Sequence, residues 1–85
     1  MGMIWQTVDD DALMGEATRL ARQLAAGPTL SYAAIKQAIN AAATNTLDQQ
    51  LDLERDSQRA LGRSADFKEG VSAFLAKRPA QFAGR

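Results

Sequence analysis

The sequence predicts an all-α fold: a small bundle of about four helices, preceded by a short extended N-terminal segment. Three observations carry this. Apolar residues recur at helical spacing in four successive stretches, capping residues and glycine or proline punctuate those stretches, and the only strand-like run is the first eight residues, which have no second run to pair with. The extended segment is expected over 1–8 and the helical domain over 9–85, with helices at about 10–26, 30–43, 47–61 and 65–77.

Met3, Ile4, Trp5 and Val8 make the opening stretch apolar and richer in strand formers than the rest of the chain. Its backbone groups lack partners within the chain, so it would pair with a sheet of a larger protein; the other use of Trp5 is to cover the end of the bundle. Asp9, Asp10 and Asp11 then precede the pattern Leu13, Ala17, Leu20, Ala21 and Leu24. One aspartate can cap this first helix and the others favour the positive end of its dipole. The ligand spacing of a calcium loop is missing, so capping is preferred to a cation site. Gly27 and Pro28 form its stop.

Thr29 or Ser31 opens the second helix, whose apolar residues Leu30, Ala34, Ile35, Ala38, Ile39, Ala41 and Ala42 cover about half its circumference at 100° per residue. That breadth suggests contacts on two sides. Lys36 falls on the polar arc and reads as solvated. Thr46 with Gln49 has the form of a capping box and starts the third helix, which Gly62 ends. Its best stripe, Leu47, Leu51, Glu54, Gln58 and Leu61, carries a carboxylate in the middle and leaves Leu53 off the face. Either Glu54 snorkels to an arginine and Leu53 is an ordinary surface leucine, or the helix faces another subunit as well as its own bundle. Asp52 with Arg55 and Asp56 with Arg59 are spaced as surface ion pairs.

Ser64 or Asp66 caps the fourth helix. Phe67, Val71, Phe74 and Leu75 share one face, Lys77 and Arg78 fill the last turn, and Pro79 stops it. Gly70 lies inside, where a neighbour passing close would explain it. Phe82, beyond the stop, either folds back as a plug or lies on another chain.

With 85 residues, no cysteine and no histidine, the chain buries little surface and has no disulfide or thiolate metal site to compensate. Its formal net charge is zero, so no global field draws it to nucleic acid or an anionic membrane. No apolar run reaches bilayer length and no signal-like opening is present, which reads as cytoplasmic. Nucleotide-phosphate, zinc and serine-nucleophile motifs are missing, and the carboxylates lie at caps or in ion pairs. No catalytic or metal-binding residue is assigned on these grounds.

EGVSAFLAKRPAQFAGR, at the end of the chain, resembles the C-terminal signature of the enoyl-CoA hydratase/isomerase (crotonase) superfamily, an E-G-x-x-A-F-x-x-K-R-x-x-x-F pattern. GMIWQTVDDDALMGEATRLARQLAAGPTL resembles the segment that leaves the catalytic core of those enzymes, and AAIKQAIN, TNTLDQQLDLERD and GRSADFKEG the helices after it. WQTVDD, IKQAIN and NTLDQQLDLERD draw the likeness toward members acting on aromatic acyl-CoA in phenylacetate catabolism. The resemblance covers nearly the whole chain but only about the last third of such an enzyme. It implies a helical oligomerisation and lid domain after a stub of the core, inactive alone, in which acyl-CoA is the substrate of the complete enzyme and no cofactor is used. The implied partners are sister subunits, in a trimer or hexamer, and the CoA of a neighbour's substrate.

The family places an aromatic and a lysine of its final helix against CoA, and the matching positions here are Phe74 and Lys77. A ring offers a stacking surface and an ammonium a partner for phosphate. Phe74 is equally placed for the bundle core, and Lys77 for complementing the helix dipole. A second reading of the whole chain, from another class, is a free-standing helical interaction module without substrate. The reading frame upstream of Met1 separates the two.

Overall fold

The computed structural model describes residues 2–85; Met1, the first residue of the expected extended segment, lies outside them. Residues 2–9 have no regular secondary structure, and Trp5 is 80% exposed, so it does not cover the end of a bundle. A 3-10 turn, Asp10–Ala12, leads into α1 (Leu13–Ala25), followed by α2 (Thr29–Ala42), α3 (Leu47–Leu61) and α4 (Ala65–Ala76). No strand occurs among the described residues, and no helix among them is long and apolar enough to cross a membrane.

Local chemistry sets the helix starts, with one departure from expectation. Thr46 and Gln49 form a reciprocal capping box: the Gln49 N–H donates to Thr46 Oγ1 at 3.2 Å and the Thr46 N–H to Gln49 Oε1 at 2.9 Å. At α4, Ser64 Oγ accepts from the Phe67 N–H at 3.0 Å and donates to the Leu61 carbonyl at 2.6 Å, tying the end of α3 to the start of α4. The aspartates before α1 do not cap it. Asp10 and Asp11 are taken up in the 3-10 turn and Ala12 stands at the helix start, so their contribution is charge near the dipole's positive end. Gly27 has a tighter requirement than a stop signal, since any Cβ there would fall on the Tyr32 ring.

The expected fold class, a small all-α bundle, is corrected by the packing. The helices do not enclose a core: Ala73, 2% exposed, is the buried apolar residue among those described. The Cα radius of gyration is 16.2 Å, against about 12 Å for a compact domain of this length. The molecule measures 46 × 38 × 18 Å, and its thin dimension holds less than two helix diameters, each about 10–12 Å with side chains. With no further layer, the outer faces stay bare.

The one extensive helix–helix contact joins α2 to α3. The half-buried residues of α2 are Ser31, Tyr32, Ala34, Ala38 and Ala41, and those of α3 are Gln50, Leu53, Ser57 and Leu61. Gln50 bridges the pair, its Nε2 donating to the Ala38 carbonyl at 3.0 Å while its Oε1 accepts from Asn45 Nδ2 at 3.1 Å. This reverses the expected orientation of α3. Leu53 turns inward, whereas Leu47 is 75% exposed and Leu51 and Glu54 also face outward. The reason is that α3 has one helix to pack on, and small residues plus a half-buried amide make the seam. Arg55 pairs with both Asp52 at 3.2 Å and Asp56 at 3.1 Å, so Asp56 is directed to Arg55 rather than to Arg59.

Candidate functional site

The last residues of the chain return along α4, and the site is built where they leave it. At the helix end Lys77 is left-handed, with φ 55° and ψ 42°; a non-glycine residue there costs roughly 1–2 kcal/mol. Its N–H bonds back into the last turn, 3.2 Å from the Phe74 carbonyl, and the Arg78 N–H reaches the Ala73 carbonyl at 3.0 Å. That long back-bond closes the helix in the manner of a glycine-ended motif without the glycine. Pro79 then disfavours helical geometry at Arg78, and the chain reverses.

Two carboxylates of α4 fasten the returning segment. Glu69 accepts both Arg78 guanidinium arms, at 2.8 and 2.9 Å, and the Gln81 N–H at 2.7 Å. The Arg78 hydrogen bonds, seconded by the Gln81 N–H, hold the Glu69 carboxyl down at about 2, well below its ordinary range. Asp66, 4% exposed, accepts from the N–H groups of Ala83 at 2.7 Å and Gly84 at 2.9 Å, while its own N–H donates to the Arg85 carbonyl at 2.8 Å. Sequence reasoning considered Asp66 only as a cap and did not find the Glu69–Arg78 pair. Their separations of 17, 18 and 9 residues match no helical repeat, so no periodic pattern announces them.

Phe82 folds back over α4 beside Gly70. A Cβ at Gly70 would lie 3.6 Å from the Phe82 ring, an ordinary contact, so the close neighbour exists but does not demand glycine. Phe82, Phe67, Val71 and Phe74, with Pro28 and Leu61, line a mainly apolar groove of about 370 Å³. A second groove, of about 440 Å³, lies between α2 and α3 along Ile35, Ile39 and Gln58.

Phe74 is 82% exposed at the first groove, so the helices of this chain do not bury it in a core of their own. Lys77 follows three residues on, exposed at the helix end, and among the described residues no carboxylate lies within ion-pair distance of it. At that end the helix dipole is negative, so complementing it remains open to the lysine. The apolar groove thus runs along α4 from Ser64 to Leu75 with the Phe74 ring exposed on it, and Lys77, which does not line the groove, lies exposed at the end of the same helix. Such a combination suits a ligand that is apolar or aromatic at one part and anionic at another. No cluster of metal-ligating side chains occurs among the described residues.

Comparison with known proteins gives a consistent set of likenesses. Residues 1–85 match the family described as enoyl-CoA hydratase/isomerase. The chain is 67% identical, over 84 residues, to 1,2-epoxyphenylacetyl-CoA isomerase of Escherichia coli K12, covering 99% of this chain and 32% of that protein. It is 48% identical over 85 residues to a protein of Rhodobacter capsulatus named probable enoyl-CoA hydratase, covering 100% of this chain and 33% of the other. Among solved structures, an enoyl-CoA hydratase from Polaromonas sp. JS666 superposes with a TM-score of 0.90 at 38% identity, over 96% of this chain and 32% of that one. The chain therefore spans about a third of the length of the relatives it matches. The open arrangement of helices recurs inside a much longer folded chain. The matched family has a mixed fold, so the all-α class holds for the described residues and not for the family, of whose fold these helices are one portion.

Proposed function

Because the chain belongs to the enoyl-CoA hydratase/isomerase family, we propose that it is the C-terminal helical part of a crotonase-type enzyme of aromatic acyl-CoA catabolism. There it would join sister subunits, in a trimer or hexamer, and close the CoA site of a neighbour. Residues 1–8 would be the end of the catalytic core and 9–85 the association and lid domain. The observation that carries the ligand role is the position of Phe74, bare at an apolar groove and three residues from an unpaired Lys77. Phe74 would lie against the adenine end of CoA and Lys77 would meet a phosphate, while the acyl group is held by parts outside this chain.

Identity of 67% to the E. coli protein supports an aromatic ring epoxide, carried as its CoA thioester, as the substrate of the whole enzyme. The groups that do that chemistry would lie in the remaining two-thirds, so the 85 residues alone would turn nothing over. A chimera tests the assignment: this chain replaces the matching third of the E. coli relative, with and without Lys77→Ala. The expected result is a Michaelis constant for the CoA thioester raised about tenfold with turnover nearly unchanged, the signature of lost uniform binding. An unchanged Michaelis constant would remove Lys77 from the CoA site.

A further inference from the structure

We propose that Glu69 is a positioning residue for Lys77: by clamping Arg78 against α4 it holds the Lys77 backbone in its left-handed turn, and so sets the direction in which the ammonium meets a CoA phosphate. The inference rests on the reading of Lys77 as a CoA contact and adds to it the group that aims the lysine.

A non-glycine residue stays left-handed only where its surroundings over-determine it. The turn's own backbone bonds, from Lys77 and Arg78 to Ala73 and Phe74, are those of any helix closed this way, and they ordinarily come with glycine. What is particular here lies one residue further on. Both guanidinium arms of Arg78 lie on the two oxygens of Glu69, at 2.8 and 2.9 Å, which fixes orientation as well as distance. The same carboxylate takes the Gln81 N–H at 2.7 Å, and Asp66 anchors the chain again at Ala83 and Gly84.

Lys77 is therefore the first residue of a strap fastened at both ends. Pro79 keeps Arg78 out of helical geometry, so the reversal has to be made at Lys77. An exposed ion pair contributes little to stability, and Glu69 and Arg78 are both partly open to solvent. The consequence of their bidentate geometry is accordingly direction: with the clamp released, Lys77 relaxes to a right-handed or extended backbone and its side chain leaves the helix end along another line.

Three variants of the full 85-residue chain test this: Glu69→Gln, Arg78→Lys, which keeps the charge and loses the fork, and Lys77→Ala. Two quantities are read by NMR, the Lys77 amide–Hα coupling with its Cα shift, and the affinity for coenzyme A from a titration at low ionic strength. Glu69→Gln is expected to move the Lys77 signals out of their left-handed values and to weaken coenzyme A about tenfold, close to the loss in Lys77→Ala, with helix content kept. Arg78→Lys is expected to do the same, and it decides the matter if Glu69→Gln does not fold. A Lys77 that stays left-handed in the clamp variants, or affinity unchanged in them while Lys77→Ala loses it, overturns the positioning role and leaves the CoA reading of Lys77 standing. A coenzyme A response that Lys77→Ala does not alter overturns the CoA reading itself and the positioning role with it; where the 85 residues alone give no response, the same variants are read through the Michaelis constant of the chimera with the E. coli relative, and a constant unchanged by Lys77→Ala there does the same.

Discussion

Glu69 offers a direct check of the fastening at residue scale. Its carboxyl is held at about 2 by the Arg78 hydrogen bonds and the Gln81 N–H, so it is depressed relative to the unfolded chain. A depressed carboxyl contributes stability that is present above its ordinary value, about 4.5, and lost as pH falls through its folded value near 2. The Gln81 amide shift should accordingly titrate with a midpoint near 2; a midpoint near 4.5 would mean that the clamp is not formed in solution. Residues whose partners are close in sequence were legible from the letters alone. Thr46 and Gln49 are such a pair, since a capping box needs only a hydroxyl and an amide three positions apart. Lys77 was not, because a left-handed lysine is held by groups up to eight residues away and the usual signal, glycine, is missing. For Phe74 helical periodicity marks a face without saying what meets it, which is why its exposure could not be read from spacing.

At the scale of the elements, the orientation of α3 is the informative departure. A stripe chosen for hydrophobicity puts Leu47 and Leu51 inward, yet the seam with α2 is made by Gln50, Leu53, Ser57 and Leu61. Periodicity finds the richest apolar face of a helix, and here that face is left uncovered by the chain's own helices. The two orientations differ measurably in urea unfolding. Leu53→Ala should cost roughly 1–2 kcal/mol, less than for a fully buried leucine, while Leu47→Ala should stay within about 0.5 kcal/mol. The opposite ranking would restore the orientation expected from sequence. The returning segment, residues 78–85, escaped sequence reasoning because it has no periodic structure; it is fastened by Asp66 and Glu69 on α4.

For the whole molecule, an 18 Å plate with Ile35, Ile39, Leu47, Leu51, Phe67, Phe74 and Leu75 all exposed has far more bare apolar surface than a stable soluble monomer usually shows. Shape was the least legible property, since a bundle and an open layer share the same helices and the same caps, and differ in whether a further layer exists to cover them. The family match and the recurrence of this arrangement in a chain about three times as long agree with a portion whose cover lies elsewhere. A surface of this kind is expected to be covered by protein. Sedimentation equilibrium of the 85-residue chain, from micromolar to near-millimolar concentration, measures it most directly. Reversible self-association, weakened by Leu51→Glu or Ile39→Glu, is the expected result. An ideal monomer throughout that range, with a radius of gyration near that of a closed domain, would contradict it.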